Sequence, residues 1–458
     1  MSAEQALGRE RIIPLIFRIG IPAMLAQFVS VLYSVVDRMF VGNIPGDGAL
    51  ALAGVGVCGP VVTLIGAFAS LVGIGGQPLM GIAMGEGKRV RAERILANCV
   101  VMLVATALIV MTVAFVLKGP MLRLFGASGI TYPYASDYFT VYVSGTVFAL
   151  LSVGLAPFIV AQGFGRTGMF SVILGAALNI ALDPLFIFVF DMGVRGAALA
   201  TVLSQVASAS FVLWFLFRKT PIRITFGHYS RLLMMRVLAM GSSPFTIIAL
   251  DNVMLIAMNA VLQHAGGEDG DLLISVNTVA QSFMLVLTMP LGGLTAGVQC
   301  ILSYNFGAAQ SKRVLATIGA STLFSEIFTA FMLLMAWVAS PLFVSLFTGN
   351  PELTEQSCRA IRICSAMALP LGIQYAVIDS FTGMGLVRFA LPLSLCRKTI
   401  YFVSLTVLPF VVGASSAFYA YPISDLLSCC VTVPLFFCTI RGILRRREDQ
   451  CRRRASRG

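Results

Sequence analysis

Charge is scarce in this 458-residue sequence. Asp, Glu, Lys and Arg together make up only 11% of the residues, whereas a soluble globular domain has roughly 25%. Hydrophobic residues make up 58%, and the mean hydropathy is +0.91. A chain with so few charges cannot cover itself with a polar surface, so the composition excludes a soluble protein and indicates a polytopic membrane protein.

Several motifs of enzymes and ATP-driven pumps are also absent. The ten cysteines contain no CxxC pair and the two histidines are isolated, so we predict neither a disulfide nor a structural metal site. No Walker A motif occurs, which argues against ATP-driven transport by this chain alone. GVGVCG at 54–59 fits GxGxxG, but no strand precedes it, so it predicts close helix packing rather than a dinucleotide site.

Long apolar runs recur along the whole chain. A membrane-spanning helix needs about 20 mostly apolar residues, and the runs here reach that length. A transmembrane β-barrel would instead show segments of about ten residues that alternate apolar and polar, so the predicted fold is all-α. The twelve predicted spans are about 14–40, 48–80, 93–117, 133–161, 168–190, 195–217, 235–264, 271–303, 313–345, 357–383, 387–412 and 417–440.

Lys and Arg collect in alternate loops, which predicts the orientation of the spans. Basic clusters occur near Arg9–Arg18, Lys88–Arg94, Arg218–Arg236 and in the C-terminal tail, so both termini are expected in the cytoplasm. No cleavable signal peptide is apparent, because the first residues are charged and the apolar run after them continues beyond a signal core. The same sorting explains the net charge of +12, so nucleic acid is not an expected partner. The tail is expected to contact anionic lipid heads.

The sequence contains an internal repeat with an offset of 222 residues. Six spans return the chain to its starting side, so the repeat predicts two six-helix lobes of equal orientation, related by a pseudo-two-fold axis along the membrane normal. The predicted domains are an N-lobe at 1–217, a cytoplasmic linker at 218–234, a C-lobe at 235–440 and a basic tail at 441–458. Positions that match include Pro22 with Pro244, Gly75 with Gly297, Gln77 with Gln299, Gly85 with Gly307 and Gly163 with Gly385.

Acidic residues inside apolar spans are the first candidates for function. A charge at the bilayer centre is unfavourable by about 2.5–3.5 kcal/mol on insertion scales, so each acid needs a partner or a role. Asp37 lies in the first span, and its neighbour Arg38 points about 100° away around the helix, so the two do not face each other. In the repeat, Asp37 matches Asn259 and Asp183 matches Leu405. The acid pair therefore belongs to the N-terminal half alone.

Asn179 and Asp183 stand four residues apart and share one helix face. Pro184 removes the donor that the carbonyl of residue 180 would use, which predicts a loosened turn there. Thr201 offers a hydroxyl one span later. With Asp37 these groups form a set of hard oxygen ligands for a small cation, or a carboxyl pair that holds a proton. The alternative is that they only cap and cross-link helices.

Four further acids lie in spans. Asp251 and Asp379 are on the first and fourth helices of the C-terminal half and are candidates for a substrate cavity. Glu326 and Asp425 are equally compatible with polar contacts between helices.

Three stretches together resemble the multidrug and toxic compound extrusion (MATE) transporters, and within them the bacterial MepA-like group. They are IPAMLAQFVSVLYSVVDRMFVG at 21–42, LNIALDPLFIFVFDMGVRGAALATVLSQ at 178–205 and QCILSYNFGAAQSKRV at 299–314, and the resemblance covers about 10–440. It implies a monomeric antiporter of a bacterial cytoplasmic membrane, without catalysis or cofactor, that exports amphipathic, often cationic drugs against an inward flow of H⁺ or Na⁺.

The resemblance also implies roles for individual residues. Its cation-coupling set is carried over onto Asp37, Asn179, Asp183 and Thr201, which would ligate a metal ion only if Na⁺ is the coupling ion. Tyr33 is compatible with the cavity wall, as Asp251 and Asp379 are in a looser correspondence. Pro22 matches a proline associated with bending of the first helix.

Two other functions are less compatible with the residues. A flippase for polyprenyl-linked lipid or oligosaccharide belongs to the same superfamily, but its cavity should carry cations, and here Arg397 and Lys398 are exceptions among mainly acidic buried charges. An intramembrane aspartyl enzyme would need a GxGD-like string inside a span, whereas PGDG at 45–48 lies in a loop.

Overall fold

A computed structural model of the chain describes residues 3–46, 48–227, 229–267, 270–347 and 350–455. Asp47 of the PGDG string and His228 lie outside these ranges. All regular secondary structure within them is helical, so the predicted all-α class is confirmed. The helices are α1 Ala3–Arg9, α2 Ile12–Gly42, α3 Gly48–Gly85, α4 Arg89–Val116, α5 Lys118–Leu124, α6 Tyr132–Ser144, α7 Thr146–Ala161, α8 Gly165–Pro184, α9 Gly193–Arg218, α10 Arg231–Gly266, α11 Gly270–Gly307, α12 Ser311–Val338, α13 Ser340–Ser345, α14 Pro351–Ser365, α15 Ala368–Gly383, α16 Val387–Val412 and α17 Ala420–Ala455, with a π turn at Leu185–Val189 and a 3₁₀ helix at Ala414–Tyr419.

The helices agree with the predicted membrane spans. Among the described residues, 10 helices are long and apolar enough to cross a membrane. Two further pairs of shorter helices pass the same test together, α6 with α7 at a bend of 57° and α14 with α15 at a bend of 45°. With each bent pair taken as one span the count reaches 12, the number predicted from the sequence.

The helices present apolar side chains on their outer faces. On α4, for example, Ile109 is 64% exposed and Val116 is 73% exposed. Exposure of such a surface to water would be unfavourable, whereas in a membrane the apolar side chains contact apolar lipid chains. The exposed apolar faces therefore confirm that the chain spans a membrane.

The described chain divides into two compact units. Unit 1 contains residues 1–9 and 25–248, and unit 2 contains residues 10–24 and 249–458. Both α2 and α10 are thus shared, whereas the predicted lobes divide the chain between α9 and α10. Pro22 lies just before the division in α2, and Pro244 lies just before the division in α10. The two prolines that match in the repeat therefore mark equivalent places.

Each unit packs its helices in the same order. In unit 1, α3 packs against α4, α6 and α7, and α9 packs against α6, α7 and α8. In unit 2, α11 packs against α12, α14 and α15, and α17 packs against α14, α15 and α16. The shared order is the structural counterpart of the sequence repeat.

Glycines allow the shared helices to cross their units closely. In unit 1, a Cβ on Gly75 of α3 would lie 2.5 Å from the carbonyl oxygen of Val237, and a Cβ on Gly241 of α10 would lie 1.7 Å from the carbonyl oxygen of Leu71. In unit 2, a Cβ on Gly297 of α11 would lie 3.0 Å from the Cα of Gly20. Gly75 and Gly297 occupy matching positions in the repeat. Gly75 lies against the start of α10, the first helix of the C-terminal half, and Gly297 lies against the start of α2.

The segment between α9 and α10 is attached to unit 1 by side chains that bond its backbone. Gln162 accepts from the backbone N–H of Ile222 at 2.8 Å and donates to its carbonyl at 3.2 Å. Asn98 accepts from the backbone N–H of Ser230 at 2.9 Å. These bonds satisfy extended backbone that has no helical partners, so the predicted linker is held rather than free.

Candidate functional site

The candidate site in unit 1 begins with Asp37 on α2. Its carboxyl atom Oδ1 is buried and accepts no hydrogen bond from the described residues. Arg38, the next residue, is exposed, which agrees with the prediction that the two side chains do not face each other. Asp37 is therefore a half-buried acid within a membrane span that forms no direct ion pair with a described residue, although Arg38 lies within electrostatic range.

Helix α8 supplies Asn179 and Asp183, which are 2% and 0% exposed. The Asn179 amide Nδ2 donates to Asp183 Oδ1 at 3.1 Å, as residues four apart on one helix face should. The other oxygens of the pair, Asn179 Oδ1 and Asp183 Oδ2, are buried and accept no hydrogen bond from the described residues. One bond thus fixes both side chains and leaves an oxygen of each available for a ligand.

The irregular turn near Asp183 differs in position from the prediction. The α-helix continues to Pro184 and is followed by a π turn at Leu185–Val189, so the loosening comes after the proline and not at residue 180. A wider turn there relieves the clash of the proline ring with the preceding helix. Single π turns often accompany functional sites because they reposition neighbouring side chains.

Thr201 on α9 closes the cluster from a third helix. Its hydroxyl donates to the Ala197 carbonyl at 3.0 Å and lies 3.4 Å from Asn179 Nδ2, from which it accepts. Asp37 in turn lies within hydrogen-bonding range of the Asp183 carboxyl. The structure therefore brings together all four residues of the predicted coupling set from α2, α8 and α9.

Tyrosines surround Asp37. Tyr33, one turn earlier on α2, lies within electrostatic range of the Asp37 carboxyl, and so do Tyr138 and Tyr142 of α6. The rings of Tyr138 and Tyr142 stack with centroids 5.8 Å apart. Gln205 of α9 bonds Tyr142 and has a buried oxygen without a partner among the described residues.

Sequence reasoning missed Tyr138, Tyr142 and Gln205. A signal was present, because YPYASDYFTVYV places tyrosines four residues apart on one face of an apolar span. Polar rings on one face of a membrane helix have to meet polar groups of other helices.

The set of oxygens fits a small hard cation or a proton. Two carboxyls, an amide oxygen and a hydroxyl meet where three oxygens accept no hydrogen bond from the described part of the chain, and oxygen ligands of this kind suit a hard ion. A proton held between the two carboxyls would serve the same electrostatic purpose. Among the described residues there is no group of three His, Cys, Asp or Glu that could hold a metal, and the cysteines are free thiols.

Unit 2 has different groups at the corresponding positions. Leu405, which matches Asp183, is fully buried in the apolar core of the unit. Asn259, which matches Asp37, accepts from Asn277 Nδ2 at 3.0 Å. The two acids of the predicted coupling set therefore have no acidic counterpart at the matching positions of unit 2, as the repeat comparison predicts.

The candidate acids of unit 2 have partners that the sequence left unidentified. Asp251 of α10 pairs with Lys398 of α16, and Asp379 of α15 accepts a hydrogen bond from the Thr295 hydroxyl of α11. The carboxyls of both lie within electrostatic range of Tyr375. Asp251 and Asp379 thus belong to one polar region, each held by its own partner.

Asp425 of α17 connects helices, as one of its two sequence interpretations proposed. It is fully buried and pairs with Arg397 of α16 at 2.7 Å. Glu326 of α12 lies against α15, since a Cβ on Gly372 would lie 2.7 Å from its Oε1. Helix packing thus explains Asp425, whereas Glu326 Oε1 is buried and accepts no hydrogen bond from the described residues.

The MatE family model matches two segments, residues 22–185 and 246–408. Together they cover most of the chain, and their offset is close to that of the internal repeat.

Two curated relatives match along nearly the full length. The multidrug export protein MepA of Staphylococcus haemolyticus is 22% identical over 422 residues, which is 91% of each chain. MepA of Staphylococcus aureus strain N315 is 23% identical over 436 residues, 93% of each chain.

Solved structures show the same fold. One, described as the outward-facing conformation of a multidrug resistance MATE family transporter of the MOP superfamily, has a TM-score of 0.87 at 22% identity and covers 97% of this chain and 99% of that one. Another, a MOP superfamily transporter from Pyrococcus furiosus described as having a binding pocket of reverse polarity, has a TM-score of 0.89 at 21% identity and covers 96% and 98%.

Proposed function

Since the chain belongs to the MatE family, we propose that it is a secondary active multidrug exporter that couples the efflux of amphipathic, often cationic compounds to the inward movement of a cation. The names of the staphylococcal relatives, both multidrug export proteins, support the substrate class. The observation that carries the coupling is the cluster on α2, α8 and α9, in which two carboxyls lie close together and neither forms a direct ion pair with a described basic residue.

The cluster supports coupling because it holds more negative charge than its surroundings neutralise. Asn179 donates to only one oxygen of Asp183. Asp183 Oδ2 and Asp37 Oδ1 have no donor among the residues that the structure describes. Two such carboxylates side by side repel, and binding of H⁺ or Na⁺ removes the repulsion. The affinity for the ion therefore depends on the distance between α2 and α8.

We place Pro22 at the bend that changes this distance. It lies inside α2, where it removes one backbone hydrogen bond, and close to the point at which α2 passes from unit 2 to unit 1. In an alternating-access cycle, the ion would bind from outside, shift α2 and release the drug outward, after which the ion would leave to the cytoplasm. Tyr33, Asp251 and Asp379 are our candidates for the substrate cavity.

The driving force is sufficient for such a cycle. One positive charge that moves inward through 100 mV releases about 2.3 kcal/mol, which sustains a roughly fiftyfold gradient of a neutral compound. A drug that carries a positive charge outward against the same field would need about two ions or a pH gradient. We favour the proton, which a carboxyl pair holds without further ligands.

We infer a monomer in a bacterial cytoplasmic membrane with both termini in the cytoplasm, two six-helix lobes and no nucleic-acid partner. A flippase for polyprenyl-linked lipid is not favoured, because the basic residues Arg397 and Lys398, which a diphosphate would need, are paired with Asp425 and Asp251.

The coupling proposal is tested by Asp183→Asn. Asn preserves the shape of the side chain and can still bond Asn179, so the chain should fold, but the ion can no longer be held by two carboxyls. We expect ethidium efflux from a drug-sensitised bacterium to fall at least about a hundredfold, in keeping with the loss of an obligatory ion-binding group. Full efflux by this variant would refute the assignment of the ion site.

The matched control is Asp191→Asn. Asp191 is an exposed residue shortly after α8, and its φ of 51° lies in the left-handed region that Asn tolerates well. The same change of charge there should leave efflux near the native rate. Equal surface expression of both variants, measured by in-gel fluorescence of a fusion tag, separates loss of coupling from loss of protein.

A further inference from the structure

Unit 2 contains a buried lysine within a membrane span. Lys398 lies on α16, and its side chain is 9% exposed. Its ammonium pairs with the carboxylate of Asp251 on α10. Because an ammonium removed from water without a counter-charge is strongly unfavourable, Lys398 in its charged form requires an anion at this place.

The counter-ion is far more accessible than the lysine. The Asp251 side chain is 55% exposed, whereas the adjacent ion pair, Arg397 with Asp425, has side chains that are 15% and 1% exposed. A pair that only connects helices has both members enclosed, as Arg397 and Asp425 are. A half-exposed carboxylate within a membrane span faces water rather than lipid. Solutes can therefore reach Asp251.

The fold itself does not require the pair. At the repeat offset of 222, Asp251 matches Val29 and Lys398 matches Ala176. Unit 1 thus builds the same helix arrangement with apolar residues at both positions. The two opposite charges are an addition of the C-terminal half, which points to a role in binding.

We propose that Lys398 and Asp251 form a binding site for dipolar amphipathic compounds, in which a carboxylate of the ligand replaces Asp251 on Lys398 and a cationic group of the ligand pairs with Asp251. The site rests on the proposed export function and adds zwitterions to its substrate class. Tyr375, a half-buried side chain within electrostatic range of Asp251, lies beside the site and can contact the apolar part of the ligand.

Charge balance selects dipolar ligands. An exchange of one carboxylate for another keeps Lys398 neutralised, so the pair opens without exposing a buried charge. A ligand with only a cation cannot open it, because Lys398 would lose its counter-ion. A ligand with only an anion would bring two carboxylates together without a second cation, and these would repel.

The test compares two dyes that differ only at one carboxyl group. Rhodamine 110 is a zwitterion with a free carboxylate, and rhodamine 123 is its methyl ester and a cation. Their dissociation constants are measured by fluorescence polarisation on the purified full chain in lipid nanodiscs. For the double variant Asp251→Asn with Lys398→Gln we expect the ratio of the rhodamine 110 constant to the rhodamine 123 constant to rise at least about tenfold, as loss of a charged contact predicts.

Two further double variants complete the design. Asp251→Val with Lys398→Ala installs the residues that unit 1 already accommodates, so it provides the same test if the amide variant does not fold. Asp137→Asn with Arg195→Gln neutralises an exposed ion pair at 2.9 Å in unit 1 and should leave the ratio unchanged.

The outcomes separate this inference from the export proposal. If native protein binds both dyes and the ratio does not change in either Asp251/Lys398 variant, the dipolar site is refuted and drug export stands. If native protein binds neither dye, both proposals are contradicted. Since the measurement uses no ion gradient, a failure of the coupling assignment at Asp183 cannot mimic either result.

Discussion

At the scale of single residues, hydrogen bonds among the proposed coupling residues are distributed unevenly. Asn179 has two donors, and it uses them on Asp183 and Thr201. The hydroxyl of Thr201 meanwhile donates to its own helix at Ala197. Thr201 therefore orients the amide of Asn179, and the amide in turn orients the carboxyl of Asp183. A polar chain of this kind is weakened as a whole when one member is removed.

We expect Thr201→Val to reduce the apparent affinity for the coupling ion about 3- to 10-fold without unfolding the protein, the effect of one lost neutral hydrogen bond. Valine has nearly the same shape, so packing is preserved. The measurement is the ion concentration, pH or Na⁺, that gives half-maximal efflux in everted vesicles.

Thr112→Val is the control for this change. Thr112 on α4 makes the same kind of bond to its own helix, at 2.8 Å to the Leu108 carbonyl, and it is exposed. An equal shift of the half-maximal concentration in both variants would show that Thr201 acts through its helix alone.

At the scale of helices, α10 approaches α3 closely in unit 1, and α2 approaches α11 closely in unit 2. Each crossing depends on backbone atoms that touch, which only small residues permit. At Gly241 the nearest obstacle to a side chain is the Leu71 carbonyl group, and a backbone group cannot rotate away as a side chain can.

We expect Gly241→Ala to lower the stability of the protein by about 1–3 kcal/mol or more, because a methyl group there forces the two helices apart. Thermal denaturation in detergent, followed by size-exclusion of the surviving monodisperse fraction, measures the effect. Gly319→Ala, on α12 with no atom within 4 Å of the added Cβ, is the control and should stabilise by about 0.5–1 kcal/mol through helix propensity. Identical melting temperatures for the two variants would contradict the crossing argument.

At the scale of the whole molecule, the two units share the same packing order of helices but contain different polar residues. In unit 1, Asp37 and Asp183 form no ion pair with a described residue. In unit 2, Asp251 and Asp425 are paired with bases, and Asp379 accepts from the Thr295 hydroxyl. Ion exchange needs a site whose charge is not already compensated. Because Asp37 and Asp183 also lie within hydrogen-bonding range of each other, we propose that ion coupling belongs to unit 1.

We expect an inward proton gradient to drive dye export by purified protein in proteoliposomes at zero sodium. Ethidium movement is followed by fluorescence with pH and sodium gradients imposed separately, and liposomes that contain the Asp183→Asn variant give the background. An absolute requirement for sodium would overturn the preference for protons while leaving the same four residues as ligands.

The sequence predicted much of the unit 1 site and less of the unit 2 region. Asn179 and Asp183 could be paired from their spacing, since a helix fixes the direction of side chains four residues apart. The partners of Asp251 and Asp425 could not be predicted from the sequence. Lys398 and Arg397 are adjacent in the chain, yet Lys398 pairs with Asp251 of α10 and Arg397 pairs with Asp425 of α17. Tyr138 and Tyr142 were overlooked for a similar reason. Their spacing shows that they share one face of α6, but the sequence does not show which helix packs against that face.

The sequence by itself determined the solvent, the helical class, the number of spans, the repeat and the asymmetry between Asp183 and Leu405, because composition, run length and local periodicity are properties of neighbouring residues. Only the tertiary structure decided that Asp37 meets Asp183, that α2 and α10 are each divided between two units, and that Lys398 is enclosed while Asp251 is open. These facts depend on contacts between segments far apart in the chain, and such contacts are fixed by how whole helices pack.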